Sequence, residues 1–265
     1  MKLIYLILFL IISANAHSFT LNNTSTLVFG QNEVKVNVHQ STVALDRCTN
    51  IGIDESELLS IVGDAVDQYW NRSPTSRLKL RMGSVVTSST AFATGLICLT
   101  GTSCDPTPAL AVSSDVLITC NKNAGNYSGS GVLAVTVPNN VSGKTIVGSL
   151  IMINDQANNT FKTKSRDEKI SIIAHELGHT FGLGHSPVKD SLMYYSTVNM
   201  RSALGSDDID GISYLYPKQQ PVTCGSVDMN GSKNNPNTWL GLLFGFLVIA
   251  LINYQLRYLK LRPRF

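Results

Sequence analysis

Charge is scarce in this sequence. Lys and Arg number 21 and Asp and Glu 18 among 265 residues, 15% in all, against about a quarter in ordinary soluble chains. Beside a 43% apolar fraction, that scarcity excludes a disordered chain, a coiled coil and a nucleic-acid-coating protein. No internal repeat is present, and no compact Asp-x-Asp loop supports a calcium site. Histidine and cysteine are also sparse, at five each, so a cluster of either carries information. The length suits one good-sized core or at most two small ones.

What is present begins with the ends. Lys2 precedes an unbroken apolar run from Leu3 to Ile12, and Ser13-Ala14-Asn15-Ala16 follows as a small-x-small cleavage pattern, so residues 1–16 read as a secretory signal peptide. An uncleaved anchor is disfavoured because the run is shorter than the roughly 20 residues a crossing needs. At the other end Trp239 to Ile252 is wholly apolar or Gly, about 21 Å of helix at 1.5 Å per residue. Tyr254 and Leu256 extend it, and Arg257, Lys260, Arg262 and Arg264 follow with no acid among them. We read 238–256 as a transmembrane helix and 257–265 as a basic cytoplasmic tail, with the bulk of the chain outside. A buried C-terminal helix and a removable sorting tail are the alternatives. The basic tail speaks against a glycolipid-anchor signal.

These ends account for the positive excess. The tail and Lys2 hold five of the 21 basic residues, leaving 16 basic against 18 acidic in 17–237. The basicity is therefore topogenic, and no nucleic-acid partner is expected.

Between the ends, Asn, Ser, Thr and Gly crowd residues 20–25, 83–90, 121–131 and 225–237, and 218–237 reads as a linker. Residues 17–30 form an N-terminal segment and 31–217 the folded domain. Val34 to Val38 alternates as a strand, and Val116 to Thr119, Val132 to Val137 and Ile146 to Ile153 are further β-like runs. From Asp54 to Trp70, Leu58, Ile61, Val62, Ala65, Val66, Tyr69 and Trp70 form a helical stripe after an acidic first turn. Ser165-x-x-Glu168 has the capping-box pattern, which predicts a helix over 167–181 burying Ile170, Ile173, Ala174, Leu177 and Phe181. Strands mixed with helices in this order indicate an α/β (α+β) domain.

That second helix carries the chemistry. His175-Glu176-Leu177-Gly178-His179 puts two imidazoles one turn apart on one face, so both can reach a single zinc ion. Gly182 lets the chain leave the helix in a conformation that suits glycine, and Leu183-Gly184 then delivers His185 as a third imidazole. Three neutral nitrogens leave the fourth position of a tetrahedral Zn²⁺ to water, the arrangement of a catalytic site. Glu176 can take a proton from that water and hand it to a leaving amine. Three of five histidines fall within eleven residues, which separate structural roles do not explain.

The run His175 to Ser186 with Ser191-Leu-Met-Tyr194 resembles the zinc signature and Met-turn of the metzincin endopeptidases. Ser186 after the third histidine, with 207–216 downstream, makes it similar to the matrixins in particular. The resemblance is clear over 167–217. It implies a twisted, mixed five-stranded sheet with three helices, one catalytic zinc on the floor of a cleft, and a peptide substrate lying antiparallel to the edge strand, for which Ile146 to Asn154 is the candidate. By the same resemblance Met193 forms an apolar floor beneath the zinc, and Tyr194 and Tyr195 begin the wall of a substrate pocket. Asp207 and Asp208 match an acidic pair that can anchor a processed N-terminus, although acids that complement a helix dipole explain them as simply.

The sequence also departs from that family. Little room exists for a propeptide between Ala16 and the first strand. Cys48 echoes the cysteine that blocks zinc in such propeptides, but it follows the first strand. Outside the motif only His17 and His39 remain, so no second, structural zinc is expected. Cys48, Cys98, Cys104, Cys120 and Cys224 all lie in the exported part, where disulfides form. Cys98 with Cys104 is the easiest local pair, but order alone does not define pairing. Seven Asn-x-Ser/Thr sites, Asn22, Asn71 and Asn126 among them, are glycan acceptors only in a eukaryotic secretory pathway. The functional expectation is a zinc metalloendopeptidase acting on extracellular or surface proteins, secreted if the tail is cleaved. The alternative is a surface adhesin that keeps the fold without turnover, which would have no need of Glu176. The oligomeric state is not legible.

Overall fold

Among the described residues, six strands and four α-helices follow one another as β1 (Val28–Phe29), β2 (Glu33–Ser41), α1 (Glu55–Gln68), β3 (Lys79–Ser88), α2 (Ala91–Thr94), β4 (Asp115–Asn121), β5 (Ala134–Ser142), β6 (Thr145–Asn154), α3 (Arg166–Thr180) and α4 (Ser206–Leu215). This computed structural model describes residues 19–23, 26–97, 110–129, 131–196 and 200–218. The expected signal peptide, the transmembrane helix 238–256, the tail, the linker beyond Lys218, and Cys98, Cys104 and Cys224 lie outside the described residues. Among the described residues no helix is long and apolar enough to cross a membrane.

The strands form one mixed sheet in which β3, β2, β4 and β6 are neighbours and parallel, while β5 pairs antiparallel with β6. β1 is a sixth strand beyond the five expected. It pairs with Thr145 and Ile146 of β6, and β4 joins β6 only from Gly148 onward. Because Thr145 also pairs with Ser142 of β5, β1 occupies the free end of the edge that β4 uses further along. β6 is therefore flanked on both edges. Among the described strands, the one beside the cleft with an unpaired outer edge is β5, not 146–154. β3 was also missed: the polar crowd at 83–90 lies mostly within it, because its side chains are largely exposed and pairing with β2 holds it.

Burial separates the two faces of the sheet residue by residue. Val116, Ile118 and Cys120 of β4 and Ile151 and Ile153 of β6 join a main core with α1 and α3. Leu117, Leu150 and Met152, the alternating positions, join Phe92, Leu110 and Val112 in a second cluster. Period-two alternation thus places every second side chain in each core, which is why the central strands read as continuous apolar runs. α1 starts at Asp54, whose carboxylate accepts the Glu57 N–H at 2.8 Å, and it buries Leu58, Ile61, Val62, Ala65 and Val66. Each Leu, Ile or Val among them contributes about 1.5–3 kcal/mol by leaving water.

Cys48, in the segment after β2, is bonded to Cys120 at the end of β4. A disulfide sulfur offers no thiolate, so the echo of a metal-blocking cysteine is incorrect. The register of β2 beside β4 brings together two residues that are 72 positions apart.

Candidate active site

α3 begins at the expected cap. Ser165 Oγ accepts the Glu168 N–H and Glu168 accepts the Ser165 N–H at 2.8 Å. Ile173, Ala174, Leu177 and Phe181 are fully buried along one side, which turns His175 and His179 toward the cleft. Trp70 fixes the helix by donating its indole N–H to the Ala174 carbonyl at 2.7 Å and by meeting Phe181 edge-on. Gly182 adopts φ +110°, a region that β-carbons disfavour, and the chain turns there to deliver His185.

The ligand atoms of His175, His179 and His185 lie within 4.8 Å of one another, the single such group of metal-ligating side chains among the described residues. Two tautomers follow from the partners. His175 Nδ1 donates to the Leu192 carbonyl at 2.7 Å and His179 Nδ1 to the Leu183 carbonyl at 2.8 Å. A carbonyl only accepts, so in the neutral rings both Nε2 atoms carry free lone pairs, as a metal requires. Burial, with the neighbouring His175 adding to it, pushes the pKa of His179 down to about 3 and lowers that of His185. Both rings are therefore held neutral. These donors could hold a zinc ion.

The third-ligand loop is braced from both sides. Thr20 Oγ1 donates to the His185 carbonyl at 2.5 Å, Gly184 N–H to the Thr20 carbonyl at 2.8 Å, and Asn22 N–H to the Gly182 carbonyl at 2.9 Å. On the other side Ser186 N–H reaches the Met193 carbonyl at 2.7 Å. Met193 itself is buried under α3. A β-carbon at Gly178 would sit 2.3 Å from its sulfur and 2.9 Å from Trp70, so the glycine inside the motif is what admits the Met-turn.

Asp207 and Asp208 do more than complement the α4 dipole. Both are buried. Asp208 Oδ1 accepts from Ser191 Oγ at 2.5 Å and Met193 N at 3.0 Å, and Oδ2 from Leu192 N at 2.6 Å and Gly205 N at 2.7 Å. Asp207 accepts from Ser186 Oγ. Burial raises the Asp208 pKa while these hydrogen bonds oppose the rise. The pair ties the loop after His185 and the Met-turn to α4.

Beside the imidazoles lies a cavity of about 360 Å³. Leu133 and Ala134 border it on one side and Leu192, Tyr194, Tyr195, Met200 and Arg201 on the other, with His175 and Glu176 between. Tyr69 donates its hydroxyl to the Arg201 carbonyl, holding that wall. Desolvation in the cleft raises the pKa of the half-buried Glu176, against the lowering effects of His175 and a Thr136 hydrogen bond. The three histidines, Glu176, Tyr194 and Tyr195 are thus adjacent. Thr136, Gly178 and the roles of Ser186 and Ser191 were not foreseen. Only Gly178 had a signal, a glycine in mid-helix. His39 stands apart, with its ring nitrogens on Thr119 Oγ1 and the Ser89 carbonyl.

A helix with paired imidazoles, a glycine turn to a third and a methionine-bearing turn beneath them define a metzincin-type metal site. Residues 118–217 match the matrixin family, and this region of the chain is a matrixin-like metzincin. It is 39% identical over 70 residues to the metalloendoproteinase 2-MMP of Arabidopsis thaliana, covering 26% of this chain and 17% of that protein. It is 51% identical over 49 residues to stromelysin-2 of Rattus norvegicus, covering 17% and 10%. Matrix metalloproteinase-18 of Xenopus laevis is 37% identical over 86 residues, covering 29% and 18%. The chain thus spans less than a fifth of the length of these relatives. The family is one of zinc metalloendopeptidases.

Proposed function

We propose that this chain is a zinc-dependent endopeptidase acting on proteins outside the cell, with Glu176 as general base. The observation that carries the reading is a half-buried carboxylate lining the same cavity as His175 and His185, with two of the three imidazoles locked in the ligating tautomer. Zinc, when bound, supplies Lewis acidity that polarises a scissile carbonyl and acidifies water. His175, His179 and His185 would hold it. Glu176, whose proton affinity burial has raised, takes a proton from water and returns it to the leaving amine.

β5 pairs only with β6 among the described strands, so its outer edge can add an extended peptide through main-chain hydrogen bonds. Tyr194 and Tyr195 wall the pocket for the residue after the cleaved bond, and Met193 provides an apolar floor. Residues 31–217 form the catalytic domain. Export by the 1–16 segment and anchoring by 238–256 would place it at the cell surface.

The test is a peptide-library digest with the full chain, a chelator and Glu176→Ala. Zinc-restorable cleavage is expected from wild type, with kcat/KM lower by about 10²–10⁴ in a variant that still binds zinc. A zinc-loaded wild type that cleaves nothing the Ala variant does not would overturn the reading.

A further inference from the structure

Thr136 lies on β5 two residues after Ala134, on the strand face turned to α3. Ala134 packs against the main core and Val135, between them, against the second cluster. The Thr136 hydroxyl donates to Glu176 Oε2 at 2.5 Å. Among the described residues it is the sole hydrogen-bond donor to that carboxylate. The terminal torsion of a glutamate is broad and nearly two-fold, and this contact is the hydrogen bond that fixes the carboxylate plane. A β-branched side chain on a strand has few rotamers, and β5 is tied to β6 on its inner edge. The donor is therefore held by rigid elements.

We propose that Thr136 is a positioning residue for Glu176. Its hydroxyl occupies Oε2 and thereby presents Oε1 to the cavity as the proton acceptor. The threonine proton stays on Oγ1 throughout. The proton that moves leaves water, forms the new O–H bond at Oε1 and ends on the leaving nitrogen. The inference rests on the reading of Glu176 as general base and adds the residue that orients it.

The experiment compares the full zinc-loaded chain with Thr136→Val, Thr136→Ala, Thr136→Ser and Glu176→Gln, measuring kcat, KM and zinc content on a fluorogenic peptide. Crystal structures of wild type and Thr136→Val then report the Glu176 carboxylate directly. We expect kcat to fall about tenfold in Thr136→Val and Thr136→Ala, the loss of one hydrogen bond. KM stays within about twofold and zinc content is unchanged, because ground-state binding is untouched. Thr136→Ser, which keeps the hydroxyl, recovers most of the rate, and the carboxylate in Thr136→Val is spread over more than one orientation. Wild-type kcat in both Thr136→Val and Thr136→Ala, no recovery in Thr136→Ser, a change confined to KM, or an unmoved carboxylate overturns the proposal. Wild-type activity in Glu176→Gln overturns the base assignment instead. An inactive Glu176→Gln beside a fully active Thr136→Val removes only the role of Thr136.

Discussion

Replacing Asp208 tests whether the acidic pair supports the metal site or only caps a helix. In Asp208→Ala all four of its hydrogen bonds are lost. Two donors have other resources: Met193 N–H also reaches Ser191 Oγ at 3.0 Å, and the Ser191 hydroxyl can rotate. Leu192 N–H and Gly205 N–H have no second acceptor among the described residues. Each donor left unsatisfied costs about 1–3 kcal/mol, and release of a carboxylate whose pKa burial has raised offsets part of that. The expected net loss is about 3 kcal/mol, read by chemical denaturation of the metal-free protein. Asp208→Asn should cost less, about 1–2 kcal/mol, because its amide oxygen can still serve Leu192 and Gly205 and its NH₂ can donate to Ser191 Oγ, although it meets the Met193 N–H as a second donor. Leu192 carries the carbonyl that fixes His175, so zinc affinity should fall about tenfold in Asp208→Ala by chelator competition. An Ala variant within about 0.5 kcal/mol of wild type, or an Asn variant as damaged as Ala, would refute the reasoning.

The metal-free protein should also be acid-sensitive. Burial lowers the pKa of His39 and pushes that of His179 to about 3, against 6.5 in the unfolded chain. The unfolded chain binds the extra protons, so this stability is present above pH about 6.5 and is lost as pH falls toward 3, at up to about 1.4 kcal/mol per unit for His179. Thermal melts across that range in chelator check it, and a flat profile refutes it. Removing the disulfide as Cys48→Ser with Cys120→Ser should cost up to about 4 kcal/mol, because the closed loop spans 72 residues. Denaturant midpoints of the oxidised protein and the double variant measure this, and equal midpoints count against it. Gly178→Ala forces a methyl against the Met193 sulfur, so it should destabilise by about 1–3 kcal/mol despite the better helix propensity of alanine. A stabilised variant would show that the Met-turn yields freely.

The local parts of this protein were legible before any fold was known. Capping at Ser165, the imidazole spacing along α3 and the turn at Gly182 depend on interactions within a few residues, and the helical and strand periods of α1, β2, β4 and β6 follow the same local rule. β3 escaped because its exposed, polar side chains carry little periodic signal. Long-range pairing decided the rest. The bond between Cys48 and Cys120 depends on which strands lie side by side, and so does β5 rather than β6 facing the cleft. Asp208 sits 15 residues beyond Met193 in the chain and reads alone as a helix-dipole acid. Only when α4 packs behind the Met-turn does its carboxylate become the acceptor for that turn. Sequence by itself determined the three imidazoles that could hold a metal, since residue type and helical pitch suffice to bring them together. Tertiary structure decided what holds those donors in place and which hydroxyl meets Glu176, because these contacts join segments that only folding brings together.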